Sequence, residues 1–256
     1  MRINKISVIT IVFNDFKNII RTLDSVAKQK ENFNIEYIVI DGNSDDGTKE
    51  LLQKKRDIID KLISEKDEGI YDAINKGIKF ASGEVIALLH SGDIYLKNSL
   101  LSEIAEIFNN KNCDVIYSDC VIYNYNKNKI FRYYFSKIFS KKLMLLGWMP
   151  PHPGCFIASY IFRNRKYSTN YKIASDFEFL FSLSKDKKVK WTRYKNISVI
   201  LDNRGVSSQL KNKLLINKEL KDILISNGKN FFSKIIFLRY FIRVFELIYK
   251  PKILIK

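Results

Sequence analysis

The sequence predicts an α/β fold: a Rossmann-like, mostly parallel sheet flanked by helices, followed by an amphipathic helical region. Three observations carry that prediction. Short apolar, β-branched runs alternate with helically spaced apolar positions from Lys5 to about Ser118, the pattern of right-handed crossovers between parallel strands. Turn residues bound these runs, as they bound buried strands. Three runs stop directly at a polar side chain, namely Asn14, Asp41 and Asp93. In open α/β sheets that carboxyl-end rim is where ligands bind.

The elements follow in order. Ile6 to Phe13 is the first strand, and Ile19, Ile20, Leu23 and Val26 then fall at helical spacing. Ile35 to Ile40 is the second strand, ending in the turn-rich stretch Asp41 to Thr48. Thr48 can cap a helix carrying Leu51 and Leu52 and reaching toward Ile58 and Ile59. Leu62-Ile63 is a short third strand. Ile70, Ala73, Ile74, Gly77, Ile78 and Ala81 trace one helical face. The fourth strand, opening at Val85, runs into His90-Ser91-Gly92-Asp93, where the Gly-Asp pair fits a ligand site or a plain turn. Leu100 to Phe108 marks a helix and Val115 to Tyr117 a strand.

Beyond about residue 120 the pattern loosens. Tyr123 to Tyr134 reads as a hairpin, and three prolines make Trp148 to Gly154 a rigid loop. Cys155 to Ala158 is a strand. Ala174-Ser175-Asp176 opens a helix bearing Phe177, Leu180, Phe181 and Leu183. Asp202 to Ser208 is a turn-rich loop before two C-terminal helices. The expected division is 1–120 and 121–210 as two halves of one domain, then 211–256 as basic amphipathic helices.

Composition bounds the function more loosely. Hydrophobic residues make up 46% of the chain, ample for a core, and 44 lysines and arginines against 27 acids give a net charge of +17. That surplus favours polyanionic partners, although a lysine-rich proteome gives the same balance. Cys113, Cys120 and Cys155 are odd in number and lack metal-ligand spacing, which fits unpaired thiols in a reducing compartment. The first strand begins by Ile6, leaving no room for a signal peptide, and no run of about 18 uncharged apolar residues could span a bilayer. The chain is expected in the cytoplasm. There is no Gly-x-Gly-x-x-Gly after the first strand and no Gly-x-x-x-x-Gly-Lys-[Ser/Thr], which disfavours a redox dinucleotide enzyme and a P-loop NTPase.

Four ordered motifs carry a resemblance. Ser7-Val-Ile-Thr-Ile-Val-Phe-Asn14 and Ile38-Val-Ile-Asp-Gly-Asn-Ser-Asp-Asp-Gly-Thr48 resemble the opening motifs of family-2 glycosyltransferases with the GT-A fold. Glu65-Lys-Asp-Glu-Gly-Ile-Tyr-Asp-Ala-Ile-Asn-Lys-Gly77 is similar to a signature of bacterial polysaccharide-assembly members, and Ala81-Ser-Gly-Glu84 with Ser91-Gly-Asp93 completes the match. The resemblance is ordered across residues 5 to 120 and patchy to Ser208.

The resemblance implies inverting transfer from a nucleotide-diphosphate sugar, a UDP-sugar favoured, to a polyprenyl-diphosphate-linked saccharide in O-antigen or capsule assembly. It implies that Asp41 reads the nucleotide base, with Thr10 and Asn14 lining the same pocket. Asp67 contacts nucleotide or ribose, Lys76 approaches the diphosphate, and Arg204 lies in a late loop closing over the donor. Asp93 matches the last carboxylate of the metal-binding Asp-x-Asp motif, so Mn2+ or Mg2+ is the expected cofactor. Ser91 stands where the first aspartate is usual, and a hydroxyl is a poorer ligand for hard cations. Asp176 resembles the general base, with Glu178 in reserve, although Ser175 or Asp176 would also serve as a plain helix cap. His152 and Trp148 fall in the acceptor-side loop, where Trp148 would stack on a sugar or fill the loop's own core. His90 reads as a packed histidine.

Residues 229–256 carry seven lysines and arginines against Glu246 alone. Arg239, Arg243, Glu246 and Lys250 fall on one helical face, and Ile235, Leu238, Phe241, Ile242, Phe245 and Ile248 cover the rest. Such a helix lies on an anionic membrane or packs on the protein's own core. The first option makes the protein peripheral on the inner face of the cytoplasmic membrane. Two rival classes stand beside this one. A basic nucleic-acid-binding protein fits the charge but has no recognised motif, and a non-catalytic relative fits Ser91.

Overall fold

A computed structural model describes residues 2–205 and 212–251. The first half is a run of β/α units: β1 (Ile6–Val12), α1 (Phe16–Lys30), β2 (Ile35–Asp41), α2 (Thr48–Lys54), β3 (Lys61–Ser64), α3 (Ile70–Phe80) and β4 (Val85–Leu88). These strands lie in the order β3-β2-β1-β4, each pair parallel. They are short and apolar because helices cover both sheet faces. Side chains that alternate along β1 divide accordingly, with Val8 and Val12 in one apolar cluster and Ile9 in the other.

The second half changes direction. It comprises β5 (Ile94–Tyr95), α4 (Leu100–Asn110), β6 (Val115–Asn124), β7 (Lys129–Tyr134), β8 (Cys155–Ala158), α5 (Ser175–Lys185) and β9 (Trp191–Asp202). Strand β8 inserts antiparallel between β4 and β6, while β9 runs parallel to β6 and antiparallel to β5. The expected hairpin is β6–β7, paired antiparallel with a register shift at Ile122/Tyr123. Three helices follow the sheet: α6 (Lys213–Ser226), α7 (Asn230–Ile235) and α8 (Arg239–Ile248). "Mostly parallel" thus describes residues up to β4, and the sheet beyond is mixed.

The remaining differences are local. Strand β9 is the largest element without a sequence signal, because its exposed Lys195 and Asn196 interrupt the apolar run. The Thr48 amide is capped by Asp46 Oδ1 at 3.0 Å, and Thr48 itself sits inside the helix. Ile58 and Ile59 fall beyond the end of α2. At the sheet end opposite the Asn14–Asp41–Asp93 rim, buried Glu36 accepts from Ser7, Lys61, and the Ser82 amide and hydroxyl. Burial works against its charge, yet these donors hold its pKa down to about 2.

Helix α3 lies flat on β1 and β2 because position 77 has no side chain. A Cβ there would be driven into Cγ2 of Ile9 and would meet Ile40 at 3.4 Å. Gly77→Ala is expected to destabilise the protein by about 1–3 kcal/mol through overpacking. The denaturant midpoint of the variant measures this, and an unchanged midpoint would show that α3 has room to move.

Candidate active site

Because β1, β2 and β4 are parallel neighbours, their carboxyl ends form one rim. Asn14, Asp41 and Asp93 all lie on it. Asn14 adopts a positive φ of 48°, which asparagine tolerates better than most residues. Its side chain exchanges two hydrogen bonds with Asp45 at 2.9 and 3.0 Å, tying the end of β1 to the loop after β2. Asp41 is fully buried, and its carboxylate accepts from the amide and hydroxyl of Ser44 and from Ser64 Oγ at 2.6 Å. As placed, Asp41 organises the 41–48 loop, so a ligand group reaching it has to exchange with one of these donors.

Three expected binding residues sit differently. Thr10 is fully buried, its hydroxyl donating to the Leu89 carbonyl at 2.6 Å and accepting from Tyr37 at 3.0 Å. It faces the core and presents no surface to a ligand. Lys76 is clamped by Asp67, Glu65 and Asp72 at 2.7, 3.0 and 3.1 Å. Although desolvation opposes it, these carboxylates raise the pKa of the ammonium, so a diphosphate reaching it has to exchange with one of them. Trp148 is buried, its indole donating to Glu246 Oε1 at 3.2 Å, so the ring fills the loop's own core. Asp67 stays at the rim, its Oδ2 3.2 Å from where a Cβ on Gly42 would stand.

At the β4 end, Gly92 takes a φ of 89°, which lets the chain reverse beside Asp202 where a side chain would crowd it. Asp93 is buried, and its Oδ1 accepts the Asp202 amide at 2.8 Å. Burial, then the charges of Asp202 and Asp15, push its pKa up to about 8 despite that amide. Ser91 donates to Asp15 at 2.7 Å. Arg21 and Arg204 both bind Asp202, and Arg21 also lies over the Tyr125 ring at 3.8 Å. Val206 to Ser208, the rest of the late loop, lie outside the described residues. Arg21, on α1, carried no sequence signal beyond its charge, and only the fold brings it beside residue 202.

No group of three His, Cys, Asp or Glu side chains stands ready for a metal among the described residues. The donor set does fit one kind of cation. Asp93 is a buried carboxylate whose like-charged neighbours raise its pKa, and a bound divalent ion would relieve that repulsion. Such an ion would take one carboxylate from this chain and its remaining oxygens from the ligand and water.

Asp176 opens α5 and is partly exposed. It accepts the Phe177 amide at 2.7 Å and the Tyr71 hydroxyl at 3.3 Å. Glu219 of α6 buries its carboxylate against the amides of Lys172, Ile173 and Ala174 at 2.8, 3.0 and 2.9 Å, fixing the turn before Asp176. Burial raises the Asp176 pKa to about 6, the two donors oppose the rise, and the charge of Glu219 adds to it. Glu178, half-buried, lies two residues on in the same first turn. His152 is buried and pairs through Nε2 with Tyr167 at 2.8 Å. Burial, then the nearby His90, pushes its pKa down to about 3, and burial takes His90 to about 4. Both rings are neutral at pH 7. Sequence reasoning missed Tyr71 and Glu219, since neither contact is local in the chain.

The sequence model described as "Glycosyl transferase family 2" matches residues 7–172. An uncharacterized glycosyltransferase of Mycobacterium tuberculosis is 40% identical over 106 residues, 41% of this chain and 40% of that protein. The match therefore spans two fifths of that relative's length. Among solved structures, Staphylococcus aureus TarS 1–349 in complex with UDP-GlcNAc superposes with a TM-score of 0.65 at 18% identity, covering 93% of this chain and 72% of that one. A Pyrobaculum calidifontis mannosyltransferase in complex with GDP-Man and Mn2+ gives 0.65 at 12% identity, covering 94% and 70%. At such identities these structures show a shared fold.

The Asp176–Glu219 pair predicts a measurable titration. Asp176 should titrate near pH 6 when followed by carboxyl NMR. Glu219→Gln removes a negative charge and should move that midpoint to lower pH, because the carboxylate then ionises more easily. An unchanged or raised midpoint would show that Glu219 does not act on Asp176.

Proposed function

The chain belongs to glycosyl transferase family 2, and from that premise we propose an inverting transfer from a nucleotide-diphosphate sugar to the hydroxyl of a lipid-diphosphate-linked saccharide. The chain is a glycosyltransferase; the donor, acceptor and stereochemistry are our reading. One observation carries it. Tyr71, in the first turn of the α3 that packs on β1 and β2, donates its hydroxyl to Asp176, an acidic side chain whose pKa is raised to about 6, which ties a candidate base to the half of the chain that carries the strand-end rim. Residues 1–120 then hold the donor and 121–210 the acceptor.

Each residue has a task in this reaction. Asp41 and Asn14 order the base-side loop, and Asp67 borders it. Arg21 and Arg204 flank the place where a diphosphate lies, and guanidinium groups suit its planar oxygens. The TarS and mannosyltransferase complexes named above contain UDP-GlcNAc and GDP-Man with Mn2+, which supports a nucleotide sugar and a divalent cation here. Mn2+ or Mg2+, held by Asp93, would stabilise negative charge on the departing diphosphate. Asp176 accepts the proton of the acceptor hydroxyl as the new glycosidic bond forms on the opposite face of the sugar. A base with a pKa near 6 is ionised at neutral pH yet remains basic enough for that step. Glu178, buried His152 and the Tyr167 it binds shape the acceptor side. A UDP-sugar donor, and O-antigen or capsule assembly at the inner face of the cytoplasmic membrane, complete the reading.

A thermal-shift screen of UDP-, GDP- and dTDP-sugars, with and without Mn2+ or Mg2+, is expected to show stabilisation by one nucleotide class. That shift should grow with the cation and be lost in Asp93→Asn. Asp176→Asn should keep the donor-induced shift while transfer falls by roughly 10²–10⁴-fold. Turnover of Asp176→Asn close to wild type would remove Asp176 as base, and no shift with any nucleotide sugar would overturn the reading.

A further inference from the structure

Helix α8 is mounted with its charged face inward. Arg239 is buried, donating to Asn217 Oδ1 at 2.6 Å and to the Gly147 carbonyl at 3.4 Å. Glu246 is buried as well, accepting from Trp148 and lying 3.4 Å from Arg132 Nε. A helix packed on its own core would turn these charges to water and bury its aromatics. Here the reverse holds: Phe237, Phe241, Val244, Phe245 and Ile248 are 51–73% exposed. They recur at helical spacing, so they form one outward stripe. The buried polar contacts fix this orientation, because rotating the helix would strip Arg239 and Glu246 of their partners.

A contiguous apolar face of this size marks an interaction surface, and charge selects the partner. The chain carries +17, which opposes association of two copies and favours an anionic surface. Exposed Lys234 lies at one end of the stripe, while at the other end Lys250 donates to the Ile130 and Phe131 carbonyls at 2.8 and 2.9 Å. A single convex helix with outward aromatics suits a fluid lipid interface. We infer that α8 docks this apolar stripe into an anionic bilayer surface, with Lys234 meeting the headgroups. The expected lysine fringe at Lys252 and Lys256 lies outside the described residues. The inference deepens the reading of a lipid-linked acceptor by naming the surface that reaches it. Glu246 joins the docked helix to Trp148, so the 148–154 loop is held at a fixed position relative to the membrane.

The test sediments the full chain with vesicles of phosphatidylcholine alone or with about one third phosphatidylglycerol. The comparison is Phe241→Asp with Phe245→Asp, both outward-facing, with thermal unfolding as a check that the fold is kept. The wild type is expected to pellet with the anionic vesicles, less so at high salt, and the variant to bind at least roughly tenfold more weakly. Equal binding of both forms, no binding by the wild type, or equal binding to neutral vesicles would overturn it. So would a self-association by light scattering that the variant abolishes. Sedimentation needs no sugar transfer, so its failure is separable from failure of the catalytic reading.

Discussion

The carboxamide of Asn75 is the hinge-pin of the molecule. Its nitrogen donates to the Tyr167 carbonyl at 2.8 Å and its oxygen accepts the Tyr167 amide at 3.0 Å. That pair fastens α3, a helix of the first half, to the backbone of the second. One turn earlier, Tyr71 reaches Ile173 and Asp176, and two residues later Gly77 lets the helix lie on β1 and β2. A single helix therefore ties β1 and β2 to the segments that carry Tyr167 and Asp176. The 65–77 motif becomes intelligible in these terms. Its acidic side chains Glu65, Asp67 and Asp72 gather on Lys76, while Tyr71, Asn75 and Gly77 perform the fastening.

Charge is the second constraint. Asp15, Asp93 and Asp202 meet where β1, β4 and β9 end, and Arg21 and Arg204 offset only part of their repulsion. Burial makes the imbalance expensive for Asp93 in particular. Both guanidiniums are paired with Asp202, so the buried Asp93 carboxylate keeps the unrelieved share of the repulsion. The same reasoning explains why buried His152 and half-buried His90 are both neutral, since desolvation keeps them uncharged.

Much of the fold was legible in residue order. The alternation of apolar runs located β1 to β4 and their helices, and the stops at Asn14, Asp41 and Asp93 located the rim. The mixed half was harder to read. Strand β9 interrupts its apolar run with Lys195 and Asn196, which gives no clear period, and β8 joins the sheet through partners far away in the chain. Individual site residues suffered in the same way. Thr10, Lys76 and Trp148 have the chemistry of ligand contacts, yet each is consumed by protein partners that no spacing rule discloses.

The C-terminal segment shows where that boundary falls. Periodicity alone predicted an amphipathic helix within residues 229–256 with Arg239, Arg243, Glu246 and Lys250 on one side, and the structure forms it over Arg239–Ile248. It left open which side faces the protein, because a helical pattern is the same whether its charged face is turned in or out. Tertiary structure decided this through Asn217, Gly147, Trp148 and Arg132, whose polar atoms satisfy the inward charges. Likewise, sequence determined that three strand ends carry polar groups, since strand length and turn chemistry are local. Only the folded chain could set Tyr71 and Glu219 around Asp176, because those contacts join residues 105 and about 45 positions apart.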